Sequence, residues 1–229
     1  MHFPTPSMDY RKLRLSNLNT PAYSHLKLLL YWPLYGFLFL FVERLSPIDH
    51  YFPVYCTLDD LIPFCELFLI PYWFWFVYLL GMHLYTLLYD IPNFRRFLWF
   101  IIISYSITIG IYLLFPTCQE LRPLAFERDN ILTRLVGGLY AFDTSTNVCP
   151  SIHVIGSVAV WCASWHIPKF QTTGWRLAFG GSCLLICLST VFLKQHSVID
   201  LLAAIPVCLI AYYFSYVKQK SPQPAHAAA

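Results

Sequence analysis

Charge is what this sequence has least of. Asp, Glu, Lys and Arg make up 12% of the 229 residues, against about 25% in an ordinary soluble domain, while 58% are hydrophobic and 18% aromatic. So little charge cannot clothe a soluble surface, and a large soluble domain is excluded. An excess of one sign is equally lacking. The 15 Lys and Arg against 12 Asp and Glu leave a net +3, too little for the basic stripe of a nucleic-acid-binding protein. The first 24 residues carry Arg11, Lys12 and Arg14 but no apolar core, so they do not read as a cleavable signal peptide. The eight cysteines lack metal-type pairing and the density of a small secreted disulfide scaffold. Cys162, Cys183, Cys187 and Cys208 lie inside apolar runs and read as small core residues. Cys118 and Cys149 flank one loop, placed to pair if it faces an oxidising compartment.

What is present is apolar sequence in long runs. A spanning helix needs about 20 mostly apolar residues, and six runs are candidates: 26–42, 67–88, 97–115, 151–167, 177–193 and 198–217. The expected fold is an all-α, polytopic bundle of six transmembrane helices over residues 25–217. A cytoplasmic segment, 1–24, precedes it and a cytoplasmic tail, 218–229, follows. Lys27 can snorkel, and Pro33 is tolerated inside a membrane helix. The fourth run is the weakest and depends on its polar ends sitting at the interface. Between the first two runs, Thr57-Leu58-Asp59-Asp60 has the form of a capping box and predicts a short interfacial helix running on into the second span. Asp59, Asp60 and Glu66 read either as acids that steer a polar head group or as capping and solvated side chains. Cytoplasmic segments carry the excess Lys and Arg. With the amino terminus inside, the inner segments hold ten: Arg11, Lys12, Arg14, Lys27, Arg95, Arg96, Lys169, Arg176, Lys218 and Lys220. The outer ones hold five, Arg44, Arg122, Arg128, Arg134 and Lys194. Both termini are therefore expected in the cytoplasm.

Asp200 is the most informative residue, because an ionisable side chain in an apolar helix is costly and marks a functional site by default. His196 lies four residues earlier, on the same helix face. A carboxylate there can hold one imidazole nitrogen and leave the other free as a nucleophile; the plainer alternative is an interfacial histidine in polar contact with a buried acid. Pro150-Ser151-Ile152-His153 opens the fourth run after the turn-rich stretch 143–147. Ser151 reads as a ligand or as a helix cap, and His153 as catalytic or interfacial. Arg122-Pro123 follows the third run, where an arginine is either a site residue or a solvated loop charge. Parity brings these together: the connection after span three, the start of span four and the hairpin between spans five and six share one side of the membrane. Arg122, Ser151, His153, Lys194, His196 and Asp200 can converge there. Two histidines, one with its own carboxylate, beside cations and a hydroxyl suit a phosphate ester: one histidine attacks in line while the other protonates the leaving oxygen.

At these residues the sequence resembles the type 2 phosphatidic acid phosphatase superfamily, which includes the lipid phosphate phosphatases and shares its site with the vanadium haloperoxidases. The family's second motif, Pro-Ser-any-His, is complete as Pro150-Ser151-Ile152-His153. Its third, Ser-Arg, five residues, His, three residues, Asp, appears as Ser189-Thr190, five residues, His196, three residues, Asp200. Its first, Lys, six residues, Arg-Pro, keeps only Arg122-Pro123, with Phe115 in the lysine position. The resemblance implies a metal-independent enzyme with no cofactor, acting on a membrane lipid phosphate at the outer face. By it, His196 is the nucleophile that forms a phosphohistidine, Asp200 orients it, and His153 is the general acid and then the base. Arg122 and Ser151 bind phosphate oxygens, and Lys194 stands in for part of the missing charge. Loss of cations at Phe115 and Thr190 also resembles the inositol phosphorylceramide and sphingomyelin synthase branches, which transfer the head group to a lipid alcohol. A transporter or structural membrane protein, with His196 and Asp200 as a proton-coupled or packing pair, is the reading from a different class.

Overall fold

The computed structural model describes residues 5–45 and 50–218; Lys220, one of the inner basic residues, and the rest of the tail from 219 lie outside them. The protein is mostly helical, and five helices among the described residues are long and apolar enough to cross a membrane: Ser24–Leu45, Glu66–Tyr89, Ile91–Leu114, Thr173–Phe192 and Val198–Val217. The first is composite, a 3-10 segment Ser24–Leu30, then α1 (Tyr31–Leu40), then a π-turn Phe41–Leu45. Pro33 falls in the first turn of α1, where a missing N–H does least harm. A two-residue strand β1 (Phe52–Pro53) and the short α2 (Thr57–Leu61) follow. The cap of α2 is Cys56, one residue before the expected box, with the Asp59 carboxylate accepting from the Cys56 N–H at 2.8 Å. Nor does α2 run on into the second span: the chain is extended at Ile62, the residue before Pro63, as a following proline favours. A 3-10 turn, Glu66–Phe68, then opens α3 (Leu69–Tyr89).

Asp90 caps α4 (Ile91–Leu114), accepting from the Asn93 N–H at 3.2 Å. After the strand β2 (Thr117–Cys118) comes a helix that the apolar runs did not announce, α5 (Ile131–Phe142), begun by a reciprocal Asn130–Thr133 cap. The remaining helices are α6 (Ile152–Trp165), α7 (Thr173–Phe192) and α8 (Val198–Tyr212).

The expected fourth span is α6, and it differs from the other five. Its 14 residues reach about 21 Å at 1.5 Å per residue, short of a hydrocarbon core of about 30 Å. The physical reason lies in where it sits. It packs against α3, α4, α7 and α8, and His153, Val154, Ile155, Gly156, Ser157, Ala159, Val160, Ala163 and Ser164 are all buried. A helix walled in by others need not present a full apolar length to lipid. Its small residues let neighbours approach closely, as membrane helix interfaces require. Outward faces of the surrounding helices are apolar instead, with Phe37 on α1, Phe76 on α3, Leu184 on α7 and Leu209 on α8 all exposed. Apolar side chains exposed on every side suit a lipid surround.

Gly156 is the glycine that its neighbours approach most closely. A Cβ there would lie 2.7 Å from the Tyr105 hydroxyl oxygen and 2.9 Å from Trp75 Nε1. Gly156→Ala should lower stability by about 1–3 kcal/mol through overpacking, whereas Gly110→Ala, with open space around it, should be neutral or stabilising. Thermal unfolding in detergent checks the pair; equal midpoints would contradict the close approach.

Candidate active site

The site is assembled by loops at one end of the bundle, and β2 organises them. β1 lies parallel to β2, pairing Phe52 with Thr117 and Pro53 with Cys118. The other side of β2 holds the segment leading to α6. The Thr117 carbonyl accepts from Asn147 N, and the Thr117 hydroxyl accepts from Val148 N at 3.2 Å and Cys149 N at 3.1 Å. Asn147 has φ 50°, a left-handed conformation that Asn tolerates better than most residues.

At the far side of the site, α7 ends and the chain doubles back into α8. The Thr190 carbonyl accepts from both Gln195 N (2.9 Å) and His196 N (3.1 Å), closing the hairpin. Lys194 sits in it at φ 52°, a conformation costing a non-glycine residue roughly 1 kcal/mol. Its carbonyl is held by Gln119 Nε2 at 3.0 Å and its ammonium by the Asp59 carbonyl at 2.6 Å. Asp59 holds the start of α8 as well. Its carboxylate accepts from the Ser197 hydroxyl at 2.6 Å and from Val198 N at 2.8 Å. It therefore caps two helices, its own and one about 140 positions away.

This framework brings together most of the residues the sequence singles out. His196 Nδ1 lies 3.0 Å from Asp200 Oδ2. With the carboxylate oxygen as acceptor, the proton of this contact sits on Nδ1, and Nε2 has no hydrogen-bond partner among the described residues. The same Asp200 oxygen accepts from Ser197 N at 3.0 Å. His153 stands edge to face with His196, ring centroids 5.9 Å apart. Its ring is wedged between Tyr72 at 4.4 Å and Trp75 at 4.6 Å, and its Nδ1 is buried without a partner. Ser151 is the N-cap residue of α6, yet its hydroxyl makes no capping bond and is buried without a partner, while its N–H donates to the Asp200 carbonyl at 3.2 Å.

Arg122 is close but already engaged. Its two terminal nitrogens donate to the carbonyls of Tyr140 (3.1 Å), Asp143 (2.9 Å) and Thr144 (2.9 Å) and to Gln195 Oε1 (2.6 Å). The guanidinium also stacks over the Tyr140 ring at 4.6 Å, and only Nε is left unpartnered. Burial pulls its pKa below the ordinary value, against the influence of Asp143, Tyr140 and Tyr72. Lys194 is not brought in: its ammonium lines a separate pocket with Asp59, Asp60 and Glu120. Of the two positions where the resemblance expects cations, Phe115 is exposed and the Thr190 hydroxyl turns back to the Cys187 carbonyl at 2.8 Å.

The structure adds residues that sequence spacing did not single out. His153 and His196 share a cavity of about 30 Å³ with Glu43, Asp143, Asn147 and Gln195, so carboxylates do stand beside these histidines. Burial raises the Asp143 carboxyl above its ordinary value, opposed by His196 and Arg122, and its Oδ2 accepts from the Tyr72 hydroxyl at 3.3 Å. Gln195, directly before His196, and Asp143, opening the turn-rich stretch, carried a positional signal; Glu43, at the end of the first span, carried none. Cys118 and Cys149 are both free thiols, and burial pushes the Cys149 thiol up to about 12.

Asp59 supplies a test of this framework. Burial alone would raise its pKa, but the hydrogen bonds from Ser197, Val198 and Cys56 outweigh that and hold it below the ordinary carboxylate value. A depressed folded-state pKa gives stability that is full above the unfolded value of about 3.9 and lost as pH falls through the folded one. Asp59→Ala should therefore lower stability at neutral pH by about 1–3 kcal/mol, with the gap to wild type narrowing below about pH 4. Thermal melts of both proteins across pH read this; a gap that does not depend on pH would contradict it. Comparison of the chain with protein-family models, with curated proteins and with solved structures gives no match, so the site is interpreted from its own geometry.

Proposed function

We propose that the protein is an integral-membrane phosphoesterase that cleaves a lipid phosphate or pyrophosphate through a phosphohistidine intermediate. One observation carries this: His196, held through Nδ1 by Asp200 at 3.0 Å, shares a cavity with a second histidine whose ring centroid is 5.9 Å away. His196 Nε2 attacks phosphorus, the ester P–O bond breaks, and His153, charged only once the phosphate anion stands beside its buried ring, gives its proton to the leaving alcohol. Water then attacks the phosphohistidine as His153 takes its proton, the P–N bond breaks, and both rings return to their starting states. Asp200 keeps the attacking ring in one tautomer and stabilises the charge it develops. The unpartnered Ser151 hydroxyl and Arg122 Nε are the donors available to phosphate oxygens. The resemblance to the type 2 phosphatidic acid phosphatases assigns the same roles. With α6 counted as a sixth pass, both termini are cytoplasmic and the site is at the outer face, in keeping with the bias of basic residues. An apolar groove of about 420 Å³, lined by Val154, Trp161, Ala204 and Tyr212 among others, runs beside the two helices that carry His153 and Asp200 and suits an acyl chain.

Transfer to a lipid alcohol is the second reading, favoured by the shortage of free cations. Four donor contacts of Arg122 are already spent, and Phe115 and Thr190 offer no charge. A phosphodiester, with one negative charge, asks less of such a site than a dianionic monoester.

Phosphate release from phosphatidic acid or an isoprenyl pyrophosphate, measured in detergent with EDTA, tests the proposal. His196→Ala should lose roughly 10³-fold or more, and Asp200→Asn roughly 10²- to 10⁴-fold. Wild-type rates in His196→Ala would refute the mechanism. Little free phosphate but a labelled lipid product on adding ceramide or diacylglycerol would identify transfer.

A further inference from the structure

Several buried polar atoms around the histidine cavity have no hydrogen-bond partner, and they come from three separate parts of the chain. Glu43, in the π-turn that ends the first span, uses one oxygen: Oε2 accepts from the Thr144 hydroxyl, and the Thr146 hydroxyl lies 3.3 Å away. Its Oε1 is buried and unpartnered. Both side-chain atoms of Asn147, Oδ1 and Nδ2, are likewise unpartnered, and the residue is 4% exposed. Gln195 spends Oε1 on Arg122, which fixes the amide orientation and leaves Nε2 buried and unpartnered at 2% exposure. All three residues line the same cavity as His153 and His196. An unsatisfied buried polar atom is costly, and three residues that carry such atoms around one small space define what belongs there.

The chemistry narrows the occupant. Glu43 Oε1 and Asn147 Oδ1 ask for a hydrogen-bond donor; Asn147 Nδ2 and Gln195 Nε2 ask for an acceptor. An ammonium would satisfy only the first pair. A phosphate oxygen would satisfy only the second and would meet the carboxylate of Glu43. A neutral hydroxyl gives and accepts at once. The volume of about 30 Å³ has room for one or two water-sized groups. We infer that Glu43, Asn147 and Gln195 form a hydroxyl-binding site beside His153, holding the O–H that attacks the phosphohistidine, whether that O–H is water or the end of an alcohol. The inference rests on the phosphohistidine mechanism above. In that step the hydroxyl oxygen forms the new P–O bond, its proton passes to His153, and the P–N bond to His196 breaks with the electron pair returning to the ring. Before the attack Glu43 Oε1 accepts the hydroxyl hydrogen, which His153 takes as the P–O bond forms, and one amide N–H holds one lone pair, leaving the other to face phosphorus.

The two half-reactions separate this site from the rest. Full-length protein in detergent is mixed rapidly with radiolabelled phosphatidic acid, and the phosphoenzyme and its decay are followed in water and with added glycerol. Glu43→Gln keeps the side chain's shape and should fold with a wild-type melting profile; Asn147→Ala removes an amide that makes no hydrogen bond but places alanine at φ 50°, and should fold with a slightly lower melting point. Both should form phosphoenzyme within about three-fold of the wild-type rate but discharge it more slowly, about 10-fold or more for Glu43→Gln and several-fold for Asn147→Ala. If water is the occupant, the deficit appears in inorganic phosphate release; if an alcohol is, it appears as a raised KM for glycerol and a smaller share of glycerol phosphate. Folded variants that discharge at the wild-type rate with an unchanged product ratio would overturn the inference and leave the mechanism standing. A wild type that forms no phosphoenzyme would overturn both.

Discussion

The buried carboxylate of Asp200 is the constraint around which this structure is arranged. It lies in the first turn of α8, fully out of contact with solvent, where an ionised group is tolerable only if paired and hydrogen-bonded. Its Oδ2 takes both, the His196 Nδ1–H and the Ser197 N–H, and its backbone carbonyl takes the N–H of Ser151. One residue thus fixes the tautomer of one histidine, the start of its own helix and the start of the helix that carries the other histidine. Removing one partner of such a buried pair typically costs about 3–5 kcal/mol, so geometry and stability are coupled at this point. The local chemistry and the central position of α6 are two aspects of one packing solution.

A second tier of contacts keeps the hairpin before α8 in place. Asp59 reaches Ser197 and Val198 from the outer connection, the Asp59 carbonyl takes the Lys194 ammonium, and Gln119 takes the Lys194 carbonyl. The left-handed backbone at Lys194 is held by these tethers. The first span is otherwise loosely packed, since most of its hydrophobic window faces outward. It is nevertheless tied to the site by Glu43 on Thr144 and by Arg44 on the Phe142 carbonyl at 3.1 Å. Its outer end is therefore part of the wall of the site.

The sequence was most legible where the signal is local or periodic. Long apolar runs located five membrane-length helices, because burial in lipid asks for composition more than for specific residues. The four-residue interval between His196 and Asp200 located the hydrogen-bonded pair, because helix geometry alone puts them on one face. Connection parity brought Arg122, Ser151 and His153 to the same end. What it could not show depended on contacts far apart in the chain. Nothing in Thr57-Leu58-Asp59-Asp60 says that Asp59 caps α8, and the local capping pattern pointed one residue off. Lys194 reads as a site cation from its distance to His196, but its ammonium is drawn to Asp59. The 14 residues of α6 look like a full span in sequence because apolar content does not distinguish a helix buried by protein from one buried by lipid. Glu43 had no neighbour in sequence to mark it, since Thr144 and Thr146 come about a hundred residues later.

The account requires that His196, with its Nδ1 proton held by Asp200, becomes covalently phosphorylated on Nε2. Quenching the protein during turnover of a phosphorus-labelled lipid and mapping the label by mass spectrometry tests this directly. The account predicts an acid-labile, base-stable phosphate on the Nε2 nitrogen of His196, absent when Asp200 can no longer orient the ring. Turnover with no covalent phosphoprotein, or a label on any other residue, would contradict it.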